Sequence, residues 1–136
     1  MSKNSSEKKG IITRLWLSMI EVSDVTTALR FYNGILELPI ALEAGKFNHA
    51  EVGPNEPFAK IGLHGTGKKN RRKRRTGIVF ETNDIYSLCN RLKDRGVRFT
   101  LEPTKMPWGG IVADFLDPDH NELEVVQDPN HYQREY

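Results

Sequence analysis

Residues 20–25 read IEVSDV and residues 80–85 read FETNDI, so that six consecutive positions match in chemical type at an offset of 60. Each copy carries an apolar strand-like segment into an Asp. Behind each Asp the period changes to that of a helix with one buried face: Val25, Ala28, Leu29, Tyr32 and Leu36 in the first copy, Ile85, Leu88, Cys89 and Leu92 in the second. Asp24 and Asp84 stand where an N-cap accepts from the free N–H groups of a first turn. Gly96 is a C-terminal stop for the second helix, and Asn33-Gly34 weakens the end of the first.

Working outward, each helix is followed by three strand-like segments. They span residues 38–43, 46–52 and 58–64 in the first copy, and 97–102, 110–116 and 121–127 in the second, with Gly45 and Gly53-Pro54 as turns. The pattern is βαβββ, twice. It predicts an α+β fold: two curved mixed sheets of four strands around a cavity, with the helices on the outer face. The expected organisation is a disordered N-terminus over 1–10, a single domain over 11–127 and a C-terminal tail over 128–136. Within the domain, module one covers 11–64, a basic linker 65–75 and module two 76–127.

Composition narrows the class. A chain of 136 residues, 38% apolar and 28% charged, fits one soluble globular domain, and no stretch approaches the length of a membrane span. The opening MSKNSSEKKG has no apolar core behind its lysines and reads as a frayed terminus rather than a secretion signal. Cys89 is the only cysteine, which excludes an intrachain disulfide and a multi-cysteine zinc site and points to a reducing, cytoplasmic setting. At a helical core position it reads as a small buried hydrophobe. The net charge of +2 hides an asymmetry: the run KKNRRKRR, residues 68–75, holds seven positive charges, and the remainder of the chain is acidic. That run reads as a solvated linker, with non-specific contact to nucleic acid or an anionic surface through Lys68–Arg75 as its alternative.

Three stretches, VSDVTTALRFYNGILELP, NDIYSLCNRLKDRGV and PWGGIVADFLDPDHNELEV, together with the repeat, resemble the vicinal oxygen chelate superfamily. That group includes glyoxalase I, extradiol dioxygenases, fosfomycin-resistance enzymes and bleomycin-resistance proteins. The resemblance implies a cavity on the inner faces of the sheets, usually completed by a dimer partner. In metal-dependent members it also implies ligands on the first and last strands of each module. The equivalent positions here are Leu17, Gly62, Gly77 and Glu124, of which Glu124 alone is a donor. One carboxylate falls short of the three or four ligands a divalent transition metal requires, so the expectation is no metal cofactor.

In LDPDHNELEVV, residues 116–126, five of eleven side chains are Asp, Glu or His. Asp117 to Asn121 reads as a turn, with His120 at a position needing φ > 0. A calcium loop is excluded because Glu122 stands where its glycine belongs. Strand alternation then sends Leu123 and Val125 toward the helices, and Glu122, Glu124 and Val126 to the inner face. The same parity places Leu15, Leu17, Met19 and Glu21 on the inner face of the first strand, and Gly77, Val79 and Glu81 on that of the fifth. His64 points inward as well, as a candidate base or an exposed strand-end residue. Trp108 lies on the loop before the seventh strand, at the expected cavity mouth. Trp16 is expected in the core. His49 and His131 carry no motif.

The candidate ligand-binding set is therefore Glu124, Trp108, Leu17, Met19, Val79 and His64. An apolar pocket bordered by acids suits a cationic or amphipathic organic ligand. The leading reading is a metal-independent small-molecule-binding protein, acting as a homodimer. The alternative is a lyase or dioxygenase of the glyoxalase I type using one divalent metal, and a third class is an interaction protein using the basic run.

Overall fold

The computed structural model describes residues 9–55, 58–70 and 72–129. Among them the first module runs β1 (Leu17–Val22), α1 (Val25–Leu29, continued by a π-helical turn over Arg30–Ile35), β2 (Ile40–Ala44), β3 (His49–Val52) and β4 (Lys60–Gly65). The second runs β5 (Arg74–Glu81), α2 (Ile85–Asp94), β6 (Arg98–Lys105), β7 (Ile111–Leu116) and β8 (Asn121–Gln127). Each module forms its own sheet, ordered β1-β4-β3-β2 and β5-β8-β7-β6. First and last strands pair in parallel and the others antiparallel, which makes both sheets mixed. They are curved and not closed.

The local signals act as the repeat predicts. Asp24 accepts from the N–H groups of Thr26 and Thr27, and Asp84 from that of Ser87. The first helix departs from a regular period after Leu29, where the wider π turn carries Phe31 into the core beside Tyr32. One apolar cluster then joins the modules: Ile20, Val22, Phe31, Tyr32 and Leu63 meet Ile85, Leu92, Phe115 and Val125. Phe115 is at its centre, with ring centroids of Phe99 at 5.7 Å and of Phe31 and Phe80 at 6.5 Å.

The Asp117–Asn121 turn forms, with His120 at φ 64°. It also latches the modules together. Asp117, only 4% exposed, accepts from the backbone N–H groups of Asp119 (2.8 Å) and Asn121 (2.9 Å), from the Tyr32 hydroxyl (2.7 Å) and from the Asn121 amide (2.8 Å). The second hydrogen of that amide goes to the Glu21 carbonyl at 3.0 Å, and the Ser23 N–H donates to Asp119 at 3.0 Å. Burial drives the Tyr32 hydroxyl well above its ordinary pKa, and the Asp117 charge adds to the rise.

Several expectations are corrected. Trp16 is 58% exposed and precedes β1 rather than joining the core, because β1 pairs with β4 only from Leu17 opposite Lys60 onward. Leu15, expected on the inner face of the strand, is exposed ahead of it for the same reason. Phe58 lies before β4, and residues 45–47 make a 3₁₀ turn instead of the start of β3. The basic run is not wholly a linker: Arg74 and Arg75 already belong to β5, paired with Asn121 and Glu122 of β8, and Gly65 closes β4. Arg71, His131, the rest of residues 130–136 and residues 1–8 lie outside the described residues. Among those described, no helix is long and apolar enough to cross a membrane.

Candidate ligand-binding site

Alternation gives each sheet a helix face and an inner face. On the first sheet the inner face carries Leu17, Met19 and Glu21 of β1, Gly62 and His64 of β4, and His49 and Glu51 of β3. On the second it carries Gly77, Val79 and Glu81 of β5, Glu122, Glu124 and Val126 of β8, Asp114 of β7 and Thr100 of β6. In the single chain these faces are uncovered, with Met19 54% and Val79 56% exposed.

The predicted residues fall into two groups on different sheets. Leu17 and Met19 close over Gly62: a Cβ placed there would meet Met19 Sδ at 2.9 Å and Leu17 Cδ1 at 3.2 Å. Val79 stands directly opposite Glu124 across the β5–β8 pair. His64 is exposed between Glu21 and His49 on its two neighbouring strands. Trp108 is exposed at the loop before β7, but it does not lack local packing, since its ring occupies the space that a Cβ on Gly110 would need.

Glu124 faces a second carboxylate. Its direct partner across the β7–β8 pair is Asp114. Burial raises the Glu124 carboxyl above the ordinary range, the hydrogen bond and charge of Asp114 raise it further, and the Arg75 guanidinium at 3.6 Å opposes them. Glu122, on the same face, shifts the other way. The Thr100 hydroxyl donates to it at 2.6 Å and is the main cause of its lowered pKa, with Lys73 and Arg75, each 3.5 Å away, adding to it. The end of the basic run is thus folded over the acids of the second sheet.

Three features of this site were missed in the sequence. Asp114 was legible in principle as the only charged residue within the apolar run of 110–116. The His49–Glu51 pair, 3.0 Å apart with Glu51 buried, has no sequence signal beyond a spacing of two. The reach of Arg75 depends on a β-bulge between Arg75 and Val79, where Gly77 adopts φ 75°. Four residues of β5 there span two of β8, so the bulge inserts an even number and Arg75 stays on the same face as Val79.

The residues do not fit a metal centre of the family type. Leu17, Gly62 and Gly77 offer no donor, the space over Gly62 is filled by two apolar side chains, and Glu124 is engaged by Asp114 and Arg75. Among the described residues no group of three His, Cys, Asp or Glu is placed to hold a metal ion.

The opposed shifts make a pH prediction. A carboxyl with a raised folded-state pKa stabilises the fold fully below its unfolded value, and this contribution is lost as pH rises through the folded value. For Glu122 the sign is reversed: its contribution is present above the unfolded value and lost as pH falls through the lowered one. Glu124→Gln should therefore match the wild type in acid and become more stable than it as pH rises past the ordinary carboxylate range. Urea unfolding between about pH 4 and pH 8 checks this. A constant difference across that range would contradict the assignment.

Comparison with known proteins agrees with this geometry. The sequence model of the Glyoxalase/Bleomycin resistance protein/Dioxygenase superfamily matches residues 16–125. A Synechocystis sp. protein named probable lactoylglutathione lyase is 30% identical over 120 residues, covering 81% of this chain and 92% of its own. The crystal structure of a superfamily member from Sphaerobacter thermophilus superposes with a TM-score of 0.74 at 31% identity, covering 86% of this chain and 98% of that one. That of TnmS3, an antibiotic binding protein from a Streptomyces species, shares the fold with a TM-score of 0.66 at 24% identity, covering 88% and 98%. The doubled βαβββ architecture, the match over both modules and the relatives at about one-third identity together show that this chain belongs to the Glyoxalase/Bleomycin resistance protein/Dioxygenase superfamily.

Proposed function

We propose that this protein binds a small organic molecule on its inner faces and sequesters it without a metal ion. The observation that carries this reading is the identity of the four positions equivalent to the family's metal ligands: Leu17 packs with Met19 over Gly62 as an apolar wall, Gly77 leaves open floor, and Glu124 is the only donor. Met19, Val79 and Trp108 supply exposed apolar surface, while Asp114, Glu122 and Glu124 supply polar contacts. Few polar groups on a mainly apolar wall are what ligand pockets ordinarily show.

A homodimer completes the site. In it the first sheet of one copy faces the second sheet of the other, burying Met19 and Val79, which a lone chain leaves exposed. Met19→Asp should then shift the protein from dimer to monomer in light scattering coupled to gel filtration, and a monomeric wild type would overturn the arrangement.

The binding test is a thermal-shift screen with aromatic amphiphiles in EDTA. Saturable binding must raise the melting temperature, by an amount equivalent to about 2.7 kcal/mol at a hundredfold excess over Kd. A rise that appears only with added nickel, zinc, manganese or iron(II) would instead favour the second reading, a metal-dependent lyase. That reading draws support from the name carried by the Synechocystis relative.

A further inference from the structure

Asp114 is the least expected group on the second sheet. It is 9% exposed, and its Oδ1 is buried and accepts no hydrogen bond from any described residue. Leaving a carboxylate oxygen dry and unpaired is costly, so a native fold that keeps one there calls for an explanation. Asp114 lines a small pocket of about 70 Å³, together with Arg75, Gly77, Val79, Glu122 and Glu124. That volume accommodates one polar head group, not a whole ligand. Gly77 leaves one wall open, since nothing lies within 4 Å of the point where its Cβ would be.

The protein's own guanidinium shows which chemistry this pocket attracts. Arg75 reaches Glu122 at 3.5 Å and Glu124 at 3.6 Å, yet it stays 72% exposed. These are long contacts for a guanidinium, which pairs best with carboxylates through two short parallel hydrogen bonds. An exposed arm held this loosely is easily displaced. Asp114 itself has no ion pair among the described residues, so Arg75 neutralises Glu122 and Glu124 and leaves Asp114 without a cation.

We propose that this pocket is a cation-recognition subsite, in which Asp114 and Glu124 hold the protonated amine or amidinium head of a ligand, and Arg75 is an internal competitor that the ligand displaces. The inference rests on the binding reading given above and names the ligand class for it. A planar amidinium fits best, since it presents N–H donors to two carboxylates standing side by side on adjacent strands. The remainder of such a ligand would extend over Val79 into the space between the facing sheets of the dimer.

The test uses three isosteric probes on the full-length protein at low salt: benzamidine, benzamide and benzoate. Titration followed by ¹⁵N-edited NMR gives both affinity and location. The wild type is expected to bind benzamidine about tenfold or more tightly than benzamide, as a charge-assisted hydrogen bond to a buried carboxylate implies, with benzoate weakest. The shifted amides should be those of Gly77, Val79, Asp114 and Glu124. Asp114→Asn should abolish the preference for benzamidine, and Arg75→Gln should tighten benzamidine several-fold by removing the competitor. Equal affinities for benzamidine and benzamide in the wild type would overturn the subsite, as would amide shifts confined to other regions. Should Asp114→Asn fail to fold, the wild-type probe ratio and the Arg75→Gln titration still decide. Failure of benzamidine to bind overturns the subsite alone, because the amphiphile screen tests the larger binding reading separately.

Discussion

Asp117→Ala is expected to destabilise the protein by roughly 3–5 kcal/mol, the range reached when a buried hydrogen-bond network loses its hub. The carboxylate receives four donors: two backbone N–H groups of its own turn, the Asn121 amide and the Tyr32 hydroxyl from the other module. Alanine leaves all four without that acceptor in a region water does not reach. The loss should appear in urea unfolding as a lower midpoint with little change in slope. Asp117→Asn keeps the shape but replaces one acceptor oxygen with a donor, so it should cost less, about 1–3 kcal/mol. Tyr32→Phe should cost less again, since Asn121 still bonds the same oxygen. A loss below about 1 kcal/mol for Asp117→Ala would mean that the turn is held by its backbone alone.

Phe115→Ala should cost a similar amount, about 3–5 kcal/mol, through lost transfer energy and the cavity left behind. Phe115 is 1% exposed and sits among Phe31, Phe80 and Phe99. Phe31 comes from module one and the other two from module two, so this side chain couples the halves as well as filling space. Two outcomes follow. The midpoint falls, and a double-mutant cycle with Phe31→Leu gives a coupling energy of at least about 0.5 kcal/mol, as expected for aromatic rings in contact. Additive effects of the two changes would show that the modules do not share a core at this point.

These two residues also mark how far the sequence could be read. Phe115 follows from alternation in IVADFL, where a helix-facing aromatic on a central strand has to be core. Asp117 was legible as a turn former and nothing more. Its Tyr32 partner is 85 residues away, and no local rule connects a helix hydroxyl with a distant turn. The same limit applies at the site. Strand parity placed Val79, Leu17, Met19 and Glu124 on inner faces, and register put Val79 opposite Glu124. Parity says nothing about which side chain on a neighbouring strand comes level with another. The Asp114–Glu124 pair therefore had to be seen in the fold, as did the His49–Glu51 pair.

The basic run shows the same division. Its charge is plain in the sequence, and charge alone suggested a solvated linker or a surface for anionic partners. In the fold its last residues enter β5 beside β8, a bulge at Gly77 redirects the strand, and Lys73 and Arg75 lie over the carboxylates of the inner face.

What the sequence by itself determined is the architecture: an offset of 60 residues, two capping Asp residues and two hydrophobic periods specify a doubled βαβββ fold, because caps and periodicity are local properties of a chain. What only the tertiary structure decided is the chemistry of the inner face. Whether a carboxylate is solvated, paired or left unmet depends on which strands adjoin it and how they are registered. Glu124 is thus one half of a partly buried acid pair because β7 brings Asp114 level with it, and Asp114 Oδ1 is left without a donor because Arg75 reaches only Glu122 and Glu124.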